Sequence, residues 1–299
     1  MTHDTFVPID FQPVVIIGAA RSGTNMLRSV FTQWEHVVTW PCDEINYIWR
    51  HGHARWPNDE LPASRATPHV RRYIRRRFCR LAHATRGRWV VEKTCANSLR
   101  VEFVRAVLPE AKFVHLVRDG RDVVASAQRR WRAPLDPLYV LRKARFVPLG
   151  DMPYYAQRYL RHRLARLVSG DGQLPTWGPR FDGIDELVQG RSLAEVCAEQ
   201  WRRCVEAATA SLAKLPLTQV HTVRYEELVE RPTSALGDLA GFLGLPARRE
   251  HVRRVGATIV RDRLGAWRTE LDAAAIAAVM KRIEPTLERW GYPTWPLAA

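Results

Sequence analysis

Lysine is scarce in this chain: only five of its 46 basic residues are lysine, so arginine supplies nearly all of a formal net charge of +15 over 299 residues. Arginine's planar fork suits paired contacts with phosphate and sulfate oxygens. Solvated surface charge accounts for many arginines equally well, so only those inside motifs carry an assignment. Cysteine is scarce too, and the five, at positions 42, 79, 95, 197 and 204, form no CxxC pair and no metal-ligand spacing. That argues against a disulfide framework or a zinc site and for a reducing compartment. No apolar stretch approaches the roughly 20 residues of a membrane-spanning helix. Residues 1–13 are polar, carry Asp4 and Asp10, and lack the basic start and apolar run of a signal peptide. The expectation is a cytoplasmic protein with no membrane span. The positive charge also admits a nucleic-acid-binding module, but the arginines are dispersed and no base-reading motif occurs, so no nucleic-acid partner is expected. Composition leaves the oligomeric state unknown.

The segment 13–18 is a short apolar run, followed by small residues and then by an apolar helical pattern through Met26, Leu27, Val30 and Phe31. That order reads strand, loop, helix. It recurs at 89–91 leading into a helix over about 98–108, and again at 113–117 leading through Arg118-Asp119-Gly120 into a helix with Val123, Val124 and Ala127. Strands alternating with helices predict an α/β fold, a parallel sheet flanked by helices on both faces. Ser192 and Glu195 form a capping box for a helix reaching about Leu215, 219–225 reads as a strand, 232–243 as a helix closed by Gly244, and 272–290 as an amphipathic helix. The expected organisation is a tail at 1–12 and one domain at 13–299, with a looser insertion at about 131–190 containing a basic helical stretch at 154–168.

The loop Gly18-Ala-Ala-Arg-Ser-Gly-Thr24-Asn25 follows the first strand and opens a helix. Backbone N–H groups and the helix dipole favour an anion at such a place. Its glycine spacing is that of a triphosphate-binding loop, yet Thr24 stands where the lysine of that loop must be. The missing lysine, with Arg21 inside the loop instead, argues for a nucleotide whose 5′ side ends differently. At the end of the 113–117 strand comes Val117-Arg118-Asp119-Gly120-Arg121-Asp122-Val123-Val124-Ala125-Ser126. Arg118 leaves the strand tip on the same edge and Ser126 lies two turns into the next helix, so the two can hold a second phosphate. Two separated anion sites suit an adenosine phosphorylated at both its 3′ and 5′ positions.

Both segments resemble the cofactor motifs of the sulfotransferase superfamily that uses 3′-phosphoadenosine 5′-phosphosulfate (PAPS). Three further segments resemble that family in the same order: Val90-Val91-Glu92-Lys93-Thr94, Arg224-Tyr225-Glu226-Glu227-Leu228 and Arg263-Leu264-Gly265-Ala266-Trp267-Arg268. The resemblance implies a P-loop-like sulfotransferase fold and an enzyme moving sulfonate from PAPS to an acceptor hydroxyl, with 3′,5′-adenosine bisphosphate (PAP) leaving and no metal taking part. It implies that Arg21 and the backbone of Ser22, Gly23, Thr24, Asn25 and Met26 grip the 5′-phosphate, and that Lys93 sits near the bridging oxygen. Arg118, Ser126 and Arg130 would hold the 3′-phosphate, Tyr225 would contact the adenine, and Arg261 or Arg263 would close over the nucleotide. Tyr225 and Arg130 also fit plain packing roles.

The acceptor hydroxyl needs a base. Family members acting on small phenols carry histidine two residues after the Lys-Thr lysine; here that position is Cys95, a poor base at its ordinary pKa of about 8.5. Members acting on glycans or protein tyrosines use a carboxylate after the first helix, which makes Glu44 the candidate base, with Asp43 beside it; both could instead cap a helix starting near Ile45. His115 reads as a core histidine, and His36, His51 and His53 lack companions at ligand spacing. The tryptophans at 34, 40, 49, 56, 131 and 177 could stack on sugar faces or fill the core. The acceptor expected is a carbohydrate or carbohydrate-bearing metabolite, with a hydroxylated small molecule or peptide tyrosine as alternatives. A nucleotide-dependent phosphotransferase is the rival enzyme.

Overall fold

Strand β1 (Gln12–Ile17) is apolar on both of its faces. Val14 and Ile16 share a cluster with Leu27 and Phe31, whereas Val15 and Ile17 share one with Ile74, Phe78 and Val104. A strand of that kind belongs inside a sheet covered on both sides. The computed structural model describes residues 7–132, 146–155, 157, 177–260 and 263–294, and it has β1 at the centre of a five-stranded sheet. The chain continues through α1 (Thr24–Phe31), β2 (Val37–Thr39), the single turn α2 (Asn46–Trp49), α3 (Pro68–Thr85), β3 (Trp89–Lys93), α4 (Val101–Val107), β4 (Lys112–Val117) and α5 (Gly120–Arg132). Further on lie α6 (Ile184–Gly190), α7 (Leu193–Leu212), β5 (Val220–Arg224), α8 (Tyr225–Glu230), α9 (Pro232–Leu243), α10 (Arg249–Gly256), α11 (Trp267–Glu270) and α12 (Ala273–Arg289).

The strand order is β2-β3-β1-β4-β5 and every pairing is parallel. The expected α/β sheet is therefore present as one unit. Ile16 lies opposite Lys93, Ile17 opposite His115, and Val117 opposite Arg224. This register brings the exits of β1, β3, β4 and β5 to a single edge. The chain turns to one side of β1 for β3 and to the other for β4, so that edge contains the switch point where parallel sheets bind ligands. A further cluster joins α5, α7 and α12 through Val124, Trp201 and Ile283.

Local signals account for most boundaries. The Ser192–Glu195 capping box is present at α7, Asp272 caps α12 through the Ala275 N–H, and Gly244 ends α9 at φ 72°. The helix expected over 98–108 is instead a 3-10 turn (Cys95–Leu99) followed by α4. Arg100 interrupts it at φ −147°, with a buried guanidinium hydrogen-bonded to Asn97 and Asn46. Helix α7 ends at Leu212, short of Leu215. The three-residue β2 is too brief for an alternating signal. Helix α3 hides its apolar stripe of Val70, Ile74, Phe78 and Ala82 among six arginines, of which Arg75 is itself buried and forked onto Glu110 at 2.9 and 2.7 Å. The stretch 154–168 lies largely outside the described residues. Among the described residues, no helix is long and apolar enough to cross a membrane.

Candidate active site

The anion loop is built by close approach. A Cβ on Gly18 would stand 2.7 Å from the Leu116 carbonyl oxygen of β4. Gly23 has φ +91°, and a Cβ there would stand 2.4 Å from the Tyr225 ring. Glycine is the residue that allows both contacts. Arg21 also adopts a positive φ of 72°, a strain of about 1–2 kcal/mol for a residue with a side chain. The loop directs its guanidinium to Ser126 of α5, to which Nε donates at 2.9 Å. Gly23 caps α1 with no side-chain hydrogen bond and no acidic residue in the first turn. The first N–H groups of α1 therefore keep their preference for an anion.

A cavity of about 760 Å³ opens over this edge, within the usual size of a small-molecule site. Its lining includes Arg21, Gly23, Thr24, Asn25, Glu44, Lys93, Arg118, Ser126, Arg130 and Arg263, which are ten of the site residues expected from sequence. Burial and the nearby Arg130, Arg129 and Arg118 lower the pKa of Arg21. Crowded cations of this kind call for a polyanion. Arg118 lines the cavity, and its Nε is buried with no hydrogen-bond partner among the described residues, which leaves a donor open to an anion.

One expected contact is placed differently. The contacts expected of Ser22 and Met26 are backbone ones, and their side chains stay out of the cavity lining, Ser22 fully buried and Met26 against the cluster around Leu27 and Phe31. Tyr225, expected against the adenine, is 5% exposed and does not line the cavity; its ring floors Gly23 and carries the Arg118 guanidinium 4.2 Å above it. Its position as the first residue of α8, directly at the end of β5, brings it beneath β1's exit rather than above it. Arg261 lies outside the described residues.

On the other wall, Lys93 Nζ meets Glu44 Oε1 at 3.1 Å, and the Cys95 N–H donates to the same oxygen at 3.3 Å. Burial is the largest single influence on Lys93 and opposes its charge, but Glu44, Cys95 and Asp43 together outweigh it and hold the amine's pKa above its ordinary value. The capping role considered for Asp43 and Glu44 is absent: the residue before α2 is Ile45, with no side-chain cap. Burial pushes the Cys95 thiol up to about 12, which leaves it no use as a base near neutrality. Of the six tryptophans, Trp177 alone lines the cavity; Trp34, Trp40, Trp49 and Trp131 are core, and Trp56 carries Arg65 over its ring. His115 is a core residue against Trp290. His51 stacks on Tyr73 and meets His69 at 3.3 Å.

Three residues with roles here, Asp122, Arg129 and Glu226, escaped sequence reasoning. Asp122 Oδ2 and Oδ1 accept the N–H groups of Gly265 and Trp267 at 2.9 and 3.1 Å, and Arg118 donates to the Arg263 carbonyl at 2.5 Å, so the 263–267 loop is tied both to α5 and to the turn that precedes it. Arg129 lines the cavity beside Arg130. Positions 122, 126, 129 and 130 share one helical face, and that spacing was the available signal. Glu226 accepts the Asp119 N–H at 3.0 Å and the Tyr292 hydroxyl at 2.9 Å, fixing the entry to α5.

Residues 13–174 and 177–249 match the profile described as the Sulfotransferase family. Comparison with curated proteins finds no match. Similar solved structures include sulfotransferase STF9 from Mycobacterium avium, with 14% identity over 96% of this chain and 78% of that one and a TM-score of 0.57. Others are the sulfotransferase domain from the curacin biosynthetic pathway, with 15% identity over 95% and 99% and a TM-score of 0.52, and a sulfotransferase from Alicyclobacillus acidocaldarius, with 15% identity over 94% of each chain and a TM-score of 0.51. These structures share the fold. The profile match covers most of the chain, which therefore belongs to the sulfotransferase family, of the superfamily that uses PAPS.

Proposed function

We propose that this sulfotransferase moves the sulfonate of PAPS to a hydroxyl on a carbohydrate or carbohydrate-bearing metabolite, with Glu44 taking the hydroxyl proton. The observation that carries this reading is the Glu44–Lys93 pair, 3.1 Å apart in the wall of a cavity whose other side is the anion loop. The acceptor oxygen forms a bond to sulfur as the bond from sulfur to the 5′-phosphate oxygen breaks, in line and with charge growing on the departing phosphate. Lys93 and Arg21 neutralise that charge, and the N–H groups of Gly23, Thr24, Asn25 and Met26 hold the 5′-phosphate. Arg118, Ser126 and Arg130, with Arg129, form the 3′-phosphate site, and Arg261 or Arg263 covers the nucleotide. No metal is assigned a role.

Support for a carbohydrate comes from the lining beyond Glu44. Asp43, Asn46, Tyr47 and Trp177 combine aromatic faces with hydroxyl-binding groups, and Tyr47 is braced edge-on by Tyr155 at 4.7 Å. Such a wall suits a ring with one apolar face and a rim of hydroxyls. We take residues 13–299 as one catalytic domain after a tail at 1–12, with the 131–190 insertion supplying Trp177 to the acceptor side. A cytoplasmic location fits five cysteines that form no disulfide.

Labelled PAPS offered to a panel of p-nitrophenyl glycosides, a tyrosine peptide and simple phenols tests the acceptor, with Glu44→Gln as control. Preferential labelling of a glycoside is expected. Labelling confined to the peptide or the phenols would move the acceptor to that class. Calorimetry with ATP and PAP tests the donor, and tighter binding of ATP would favour a phosphotransferase. Duplex DNA binding that survives 200 mM salt would count for a nucleic-acid partner.

A further inference from the structure

Glu92 is fully buried and has no place in the cavity lining, although it adjoins Lys93. A buried carboxyl in the middle of a sheet costs stability unless its oxygens are engaged. Here both are: Oε1 accepts from the Thr94 hydroxyl at 2.5 Å and Oε2 from the Asn97 amide at 2.9 Å. The Thr94 oxygen, its proton thus directed at Glu92, accepts the Ile45 N–H at 3.1 Å. Asn97 passes the connection on, since Arg100 donates to Asn97 Oδ1 at 2.9 Å and to Asn46 Oδ1 at 2.5 Å. Ile45 and Asn46 are the two residues that follow Glu44, and both are suspended from one buried network rooted in Glu92. The Glu44 carboxylate is meanwhile held by Lys93 and the Cys95 N–H, from the two residues that flank Thr94.

We propose that Glu92 is a positioning residue for sulfonate transfer: through Thr94 on one side and Asn97 with Arg100 on the other, it fixes the backbone at Ile45 and Asn46 and thereby sets where the Glu44 carboxylate meets the acceptor hydroxyl. The inference rests on the reading of Glu44 as base. Once ionised, as the pH rises through about 7, the carboxylate suits the task because it accepts two hydrogen bonds and donates none, which turns a lone pair of the Thr94 oxygen toward Ile45. Glutamine of the same size cannot accept at both positions without an amide group facing one of the donors. Serine at 94 keeps the relay, and valine removes it while keeping the volume.

The test measures kcat, acceptor KM and PAP affinity for Glu92→Gln, Thr94→Val and Thr94→Ser, using the acceptor of the panel turned over fastest, or water if none is. Glu92→Gln and Thr94→Val are expected to lower kcat at least tenfold with PAP affinity within about twofold of wild type, and Thr94→Ser to restore kcat to within about threefold. In a Glu44→Gln background, Thr94→Val is expected to cost little more, because its effect is exerted through the group already lost. Wild-type kcat in Glu92→Gln overturns the proposal, and so does an equal loss from Thr94→Val with and without Glu44. If Thr94→Val fails to fold, Asn46→Ala cuts the second tie, and wild-type kcat there overturns the proposal as well. Full activity in Glu44→Gln alone would instead remove the base assignment, and failure of wild type to bind PAP would remove the donor reading.

Discussion

Lys93 Nζ and Glu44 Oε1 stand 3.1 Å apart, although the two residues come from a strand and from a loop 49 positions away. The side chain of Lys93 is 2% exposed and that of Glu44 26%, so the carboxylate is the partner within reach of an incoming hydroxyl. General-base catalysis contributes about 10²–10⁴-fold. Glu44→Gln is expected to lower kcat by an amount in that range while PAP affinity stays within a few-fold. Steady-state kinetics beside calorimetry check this, and a parallel fall in PAP affinity would mean that the loss is of the nucleotide site instead.

The two anion sites can be separated by choice of nucleotide. Arg118→Ala is expected to weaken PAP binding by about 10–100-fold, the range for a charge-assisted contact, while leaving adenosine 5′-phosphate nearly unaffected. Ser126→Ala removes the acceptor of the Arg21 Nε proton and is expected to weaken PAP by about tenfold. Calorimetric titration of each variant with both nucleotides is the measurement. Equal losses for the two nucleotides in Arg118→Ala would place that arginine away from the 3′-phosphate.

Asp122 acts on the loop rather than on the nucleotide. Its two oxygens hold the N–H groups of Gly265 and Trp267, and asparagine would turn an N–H toward one of them. Asp122→Asn is expected to speed PAP release about tenfold, with a smaller change in association. Stopped-flow displacement reads both rates. Unchanged release would show that the 263–267 loop does not retain the nucleotide.

Two buried groups set opposing pH dependences of stability. Burial pushes Glu92 up to about 7, against the hydrogen bond from Thr94 and the charges of Lys93 and Arg100. Its contribution to stability is full below pH 4.5 and is lost as the pH rises through about 7. Burial lowers His115 to about 4, so its contribution is full above pH 6.5 and is lost as the pH falls through about 4. Each amounts to about 3 kcal/mol at most. Relative to wild type, Glu92→Gln is expected to gain stability as the pH rises from 4.5 to 7, and His115→Phe to gain it as the pH falls from 6.5 to 4. Urea unfolding at constant ionic strength follows the difference, and parallel curves for wild type and Glu92→Gln would rule out the raised pKa.

What was legible in the sequence was what local chemistry dictates. The apolar runs of β1 and β4, the Ser192–Glu195 box and the Gly18 and Gly23 spacing each specify an element without reference to distant residues. Motif order then brought Arg21, Lys93, Arg118 and Ser126 to one cavity. Relations set only by packing were not legible. Tyr225 lies under Gly23 because β5 pairs beside β4, and no pattern around position 225 encodes that neighbour. Arg100 breaks a regular helical signal because its partners, Asn46 and Asp59, are distant in the chain. Trp177 is the tryptophan at the cavity because Gln200 holds its carbonyl at 2.8 Å, a contact across 23 positions.

The contact between Gly23 and Tyr225 has a consequence for synthesis of the protein. Tyr225 follows Gly23 by 202 positions, which at roughly 5–20 residues per second is at least about ten seconds of translation. Throughout that interval the anion loop has left the ribosome without its floor, and the tethered 263–267 loop comes later still. PAP can therefore protect only chains that are nearly finished, and its presence in a translation reaction would raise the protease resistance of the released protein but not of nascent chains halted before β5.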